Sequence, residues 1–241
     1  MSTWQFYWET LIPAVNKGLG LSIALIVPSA VLGLALGLLV GAGRAMGAKK
    51  TLGRLLNLYV AIFRGTPLVV QLVMWFYGLP SLALILEGYF KPLGWPPFWR
   101  GLLLSPYAAA VLGFTLCSGA YQSEYVRGAI LSIKKGQFLA ARALGFSKAQ
   151  AFWSVIAPVA LRRALPGCGN EIIYLIKYSS LALVVTAVEI TGQAKMVASL
   201  YFRHLECYLL AAVYYLALVT VATAILGYLE KKLAVPGLDP H

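Results

Sequence analysis

The residues in this chain that could do chemistry are few, and most stand in apolar surroundings. Glu171 and Lys177 fall inside one long hydrophobic run, with Ser179 and Ser180 close behind. A charge in such a run is costly unless it is paired or wetted, so each marks either a polar path or a structural pair. At about 100° per residue, a separation of six turns the two side chains to different sides of a helix, so they do not pair with each other. Two readings of Lys177 stay open: it borders a path for a solute together with Ser179 and Ser180, or it snorkels and bonds to backbone carbonyls. Glu171 is expected to pair with Arg127 or Arg64, and Glu124 belongs to the same set of structural charges. Gln71, Gln122 and Thr186 either line the path or form bonds between helices. Catalytic chemistry has no assembly: no nucleophile, base and orienting group are spaced to meet, and His204 stands alone, so no metal site and no enzyme active site are expected. Cys117, Cys168 and Cys207 are odd in number and far apart, which fits packing residues better than disulfides or zinc ligands. The stretch from Gly41 to Thr51 lacks the glycine spacing of a phosphate loop.

The elements that must position these residues are membrane helices. Sixty per cent of the 241 residues are hydrophobic and only 12% are charged, and the mean hydropathy is +0.78, values that exclude an ordinary soluble domain. The net charge of +12 does not indicate nucleic acid, because the basic residues flank apolar blocks of spanning length. Five such blocks are expected as spans, at about 18–43, 67–86, 103–123, 167–188 and 208–228. The first seventeen residues lack a basic leader region, so the first block is expected to be a retained span. With the N-terminus outside, fourteen Lys and Arg flank the spans inside and five outside, which sets N-out, C-in. The expectation is one all-α membrane domain, 1–241. Gly33, Gly37 and Gly41 form a small-residue ridge on the first helix that invites close approach by another. The apolar residues of 52–63 recur at helical spacing, as in an interfacial amphipathic helix, and 87–100 form an outer loop whose Trp95 and Trp99 anchor it at the headgroups.

The connection between the third and fourth spans, about 127–166, is far longer than a helix–helix loop normally is, so it is expected to have structure and a task. Gln137 to Leu144 suits a short helix, Gly145 is placed to cap its C-terminus, and Ser147 with Gln150 makes a capping box that starts another. The first of these helices is expected to present Phe138, Leu139, Arg142 and Leu144 outward. In the second, Phe152, Val155, Ile156 and Val159 share an apolar face. Pro158 is expected to kink or end it, and Pro166 to open the fourth span.

The run Glu124-Tyr125-Val126-Arg127-Gly128-Ala129-Ile130, then Gly136-Gln137 and Ala140-Ala141-Arg142-Ala143-Leu144-Gly145, resembles the "EAA" loop of permease subunits of bacterial ATP-binding cassette importers. Specifically, it is similar to the polar amino acid uptake branch. Arg64-Gly65-Thr66-Pro67 ahead of Tyr77-Gly78-Leu79-Pro80, and Asn170-Glu171 with Lys177, Ser179-Ser180-Leu181 and Glu189, agree with it in order and distance. The resemblance implies a type I importer-like permease fold in the bacterial inner membrane. It also implies a second permease subunit of the same or a different chain, two ATPase subunits that bind ATP and Mg, and an extracytoplasmic amino acid binding protein. This chain would then bind no cofactor itself. The coupling residues would be Gln137, Phe138, Leu139, Ala140, Ala141, Arg142, Leu144 and Gly145. The family pattern has Glu just before the Ala-Ala pair where this chain has Leu139, a change best accommodated if the second permease subunit is a different chain that keeps the Glu. An ion-gradient-driven transporter and a non-transporting membrane anchor are the rival readings. The first normally shows inverted repeats and an intramembrane acid–base relay, neither of which is found in this sequence. The second would have no use for polar groups in the fourth span.

Overall fold

The computed structural model describes residues 3–47, 49–94 and 96–233. Trp95, named above as an anchor, lies outside the described residues. The described chain is all-helical. In chain order its principal helices are α1 (Phe6–Ala45), α2 (Lys50–Gly65), α3 (Leu68–Leu93), α4 (Pro106–Leu131), α5 (Lys135–Ala143), α6 (Lys148–Val185), α7 (Ile190–Tyr201) and α8 (His204–Leu233). Four of them, α1, α3, α6 and α8, are long and apolar enough to cross a membrane. The fifth expected span is α4, whose 26 residues reach about 39 Å, more than a hydrocarbon core of about 30 Å needs. It is more polar because it carries Ser118, Gln122, Ser123 and Glu124.

α1 and α8 outrun their apolar blocks at both ends, α3 and α4 only at the C-terminal end and α6 only at the N-terminal end. The largest difference is in α6: Pro158 and Pro166 do not end it, and one helical run continues from Lys148 to Val185. A π-helical turn, Phe152–Ile156, ends two residues before Pro158, and Pro166 lies inside the helix. Such local adjustments re-satisfy the backbone groups that proline leaves free, which is how membrane helices keep prolines. The long connection therefore shrinks to α5 and two short joints, 132–134 and 144–147. Trp99, expected at the headgroups, is buried.

Described residues group into two compact units. One draws on 3–31, 66–116 and 175–219, the other on 32–65, 117–174 and 220–233. In the first, the start of α1 packs Phe6, Leu11 and Val15 against Ile190, Ala194 and Cys207. In the second, the glycine ridge has found its partner in α4. A Cβ on Gly37 would sit 2.6 Å from Gln122 Cβ, and one on Gly41 would sit 2.6 Å from the Ser123 carbonyl oxygen. Neither neighbour can yield, since one is the root of a side chain and the other is backbone. Gly37→Leu is therefore expected to cost about 3 kcal/mol and to lower the thermal unfolding midpoint of the purified protein. Gly20→Leu on the same helix, where a Cβ meets nothing within 4 Å, should leave the midpoint in place. Equal midpoints for the two variants would refute the close helix contact.

Candidate functional site

The nine-residue helix α5 is held between the two joints at 132–134 and 144–147, and its ends are specified locally. Past its last turn the chain reaches Gly145 with φ of +89°, a conformation open to glycine and strained for a side chain. Phe146 N–H donates to the Ala141 carbonyl and Gly145 N–H to the Arg142 carbonyl, each at 3.1 Å, the double bond of a Schellman stop. The Arg142 guanidinium donates to the Phe146 carbonyl at 2.7 Å. The next residue opens α6: Gln150 N–H donates to Ser147 Oγ at 3.2 Å and Ser147 N–H to Gln150 Oε1 at 2.9 Å. This is the capping box read from the sequence, and it leaves the 144–147 joint with little backbone freedom.

The faces of α5 are sorted differently from the expectation. Phe138 is half-buried against Ile133, Phe152, Ile156 and Ala160, and Ala141 is buried, so these two side chains, three apart, hold α5 down. Gln137, Leu139, Ala140, Arg142, Leu144 and Gly145 remain exposed. Leu144 is 80% and Leu139 65% exposed, large apolar side chains that no part of the described chain covers. The other joint is pinned as well, since Arg163 donates to the Ser132 carbonyl at 2.9 Å and to Ser132 Oγ at 2.8 Å.

In the same unit the expected pairing of Glu171 with Arg127 or Arg64 does not form; both arginines, joined by Arg44, gather on Glu124 instead. Glu124 meets Arg44 at 2.9 Å, Arg64 at 3.4 Å and Arg127 at 3.7 Å. Arg44, which the sequence offered only as a topology charge, also donates to Asn57 Oδ1 at 2.7 Å. Arg64 lies over the Tyr121 ring. Three guanidiniums on one carboxylate tie the end of α1, the end of α2 and α4 together. Glu171 is buried and feels the Arg64 charge, but makes no ion pair among the described residues. Gln122 is fully buried, donates to Ser118 Oγ at 2.9 Å and packs on Gly33 and Gly37. Its burial and this packing place it between α1 and α4.

In the other unit, Gln71 turns its amide back onto Thr66, donating to its carbonyl at 3.1 Å and to Oγ1 at 3.0 Å. Ser179 is buried and donates to the Ile176 carbonyl at 2.7 Å, and Ser180 donates to that of Lys177 at 2.8 Å. Of the expected path residues, Lys177 and Thr186 keep exposed side chains. Thr186 is left-handed, with φ of 62°, a strained position for a β-branched residue. It lines a cavity of about 500 Å³ with Lys17, Tyr107 and Gln193.

The residue whose role the sequence did not reveal is Glu189. It is fully buried and caps α7, accepting from Gly192 N–H at 3.1 Å, while it also accepts from Ser22 Oγ at 3.3 Å and from the Tyr215 hydroxyl. Burial pushes its carboxyl up, and the bonds from Tyr215, the α7 backbone and Ser22 pull the other way. Gly18 lets α1 close on this corner, for a Cβ there would stand 2.8 Å from the Glu189 and Ile190 backbone. The available signal was an acid three residues before Gly192 at the head of an amphipathic stretch, a helix N-cap pattern.

Comparison with known proteins covers nearly the whole chain. Residues 33–235 match the family described as binding-protein-dependent transport system inner membrane component. The glutamine transport system permease protein GlnP of Escherichia coli (strain K12) is 34% identical over 238 residues, 96% of this chain and 99% of its own. The probable amino-acid ABC transporter permease protein YckA of Bacillus subtilis (strain 168) is 33% identical over 236 residues, 96% of each chain. A chain from the crystal structure of an amino acid ABC transporter with histidines superposes with a TM-score of 0.78 at 28% identity, over 92% of this chain and 94% of that one. A chain from an inward-facing MetNI methionine ABC transporter shares the fold, with a TM-score of 0.74 at 21% identity, over 98% of this chain and 100% of its own. Agreement on this scale, over nearly the whole length of the chain and of its relatives, has one meaning: the chain belongs to the binding-protein-dependent transport system inner membrane components, the permease subunits of ATP-binding cassette importers.

Proposed function

We propose that this permease carries a polar amino acid inward and that the exposed face of α5, Gln137 to Gly145, docks in a cleft of a separate ATPase subunit that binds ATP and Mg. The observation that carries the reading is the combination in α5 of an exposed Leu139–Leu144 face with two locked ends. A helix held rigidly at both joints transmits force as a lever, so closure of an ATPase dimer becomes rigid-body motion of the helices joined to it. Catalysis of ATP cleavage then resides wholly in the partner. Amino acid cargo is supported by the names of the relatives, which include glutamine transport and probable amino-acid permeases. Lys177, Ser180 and Thr186 are the remaining pathway residues, since Gln71, Gln122 and Ser179 are buried.

The exposed Leu139 supports a transporter with two different permease chains, the second keeping a carboxylate at the matching position. One preparation tests these points together: the permease is purified with its co-expressed partners and reconstituted in proteoliposomes with the extracytoplasmic binding protein. Uptake of labelled glutamine or another polar amino acid is expected only with ATP inside, and two kinds of permease chain are expected in the complex. Uptake that follows a proton gradient after the ATPase is removed would overturn the transport reading. A single kind of permease chain would overturn the pairing.

A further inference from the structure

An apolar slot opens beside the cytoplasmic end of α1. Its walls are Leu38, Leu39 and Ala42 of α1, Val126 of α4, and Trp153 and Leu161 of α6, around about 290 Å³ with no charged residue in the lining. A second cavity of about 460 Å³ shares Met46, Ile130 and Phe152 with the first and extends to Lys134 and Lys148. No acidic side chain lines either cavity.

At the rim of the slot Leu39 is 74% and Trp153 68% exposed. Leu39 belongs to a spanning run, where hydrocarbon covers exposed leucine, and tryptophan favours the headgroup boundary. The lysine end lies on the side with the larger basic count, which faces the anionic leaflet of the membrane. Apolar depth that leads to a pair of cations matches an amphiphile with a negative head. A peptide segment would leave backbone polar groups unpaired in the slot, whereas an acyl chain has none.

We propose that these two cavities form one binding site for an anionic phospholipid of the cytoplasmic leaflet, with an acyl chain in the slot and the phosphate between Lys134 and Lys148. Phe138 and Leu139 wall the same second cavity, so the bound headgroup braces α5 against α6 beside the exposed Leu139. The site is independent of which solute the permease carries.

The test is retention of lipid by the intact permease–ATPase complex taken from mixed phosphatidylglycerol–phosphatidylcholine vesicles and examined by native mass spectrometry. Phosphatidylglycerol is expected to be retained in preference to phosphatidylcholine. Each lysine near the surface contributes roughly a factor of five, so Lys134→Gln with Lys148→Gln should cut that preference about twenty-five-fold. Ala157→Phe, which fills the slot from its α6 wall, should release both lipids while the ATPase stays bound. Equal retention of the two lipids by the unmodified complex would overturn the proposal, as would phosphatidylglycerol held at the normal level by Ala157→Phe. A lysine double variant that sheds the ATPase but keeps phosphatidylglycerol would assign the cavity to partner docking instead, and would also overturn it.

Discussion

Gly145→Asp is expected to abolish ATP-driven uptake while leaving the protein inserted at its normal level. Gly145 holds φ of +89°, and its own N–H and that of Phe146 close the end of α5. A side chain there strains the backbone by about 1–2 kcal/mol, which loosens the joint that the proposed lever action of α5 requires. The carboxylate adds the larger effect. A Cβ at this position meets nothing of the chain within 4 Å, so the folded permease accepts the side chain and it is left pointing at whatever docks on α5. An uncompensated charge driven into that interface costs about 3–5 kcal/mol, more than a hundredfold in docked complex. Two alanine substitutions separate backbone strain from helix propensity. Gly145→Ala should lower uptake, whereas Gly136→Ala, inside α5 and not left-handed, should stabilise the helix by about 1 kcal/mol and preserve it. Normal coupled uptake by Gly145→Asp in proteoliposomes would end the docking model.

Glu189→Ala is expected to destabilise the protein by roughly 3 kcal/mol or more, the sum of a lost helix cap and orphaned buried donors. The carboxylate receives Gly192 N–H, Ser22 Oγ–H and the Tyr215 hydroxyl, and Tyr215 is further bonded to Thr191 at 3.1 Å. Alanine leaves these donors without their acceptor in a corner that water does not reach, at about 1–3 kcal/mol for each unsatisfied group. Glu189→Gln keeps one oxygen for the α7 backbone and is expected to fall between the two. The comparison variant is Glu87→Ala, whose partner Lys91 is 74% exposed at 3.3 Å; an exposed pair of this kind is worth at most about 1 kcal/mol. Thermal unfolding midpoints of the purified proteins decide the matter. Glu189→Ala as stable as Glu87→Ala would show that the cluster does not hold α1, α7 and α8 together.

The parts legible in the sequence are those that depend on a few neighbouring residues. Apolar runs of spanning length located the helices, because a helix in hydrocarbon satisfies its own backbone and needs no partner to be recognised. The stop at Gly145 and the start at Ser147–Gln150 were readable for the same reason: both are short-range hydrogen-bond patterns with their own residue requirements. The glycine ridge was visible as a surface for close approach, but that α4 fills it emerged only from contacts between Gly37 and Gln122, far apart in the chain. The continuity of α6 was misread because proline was weighed as it acts in water, while the π turn before Pro158 and the apolar surroundings allow the helix to run on. Tertiary structure alone decided which face of α5 is exposed, because Phe138 is recruited by Ile133 and α6 and Ala141 is buried. It also made Arg44 a partner of Glu124 and turned Glu189 from a polar residue at the end of a span into the buried joint of three helices. A pattern of residue types shows that a charge must be satisfied; only the folded chain determines which distant group satisfies it.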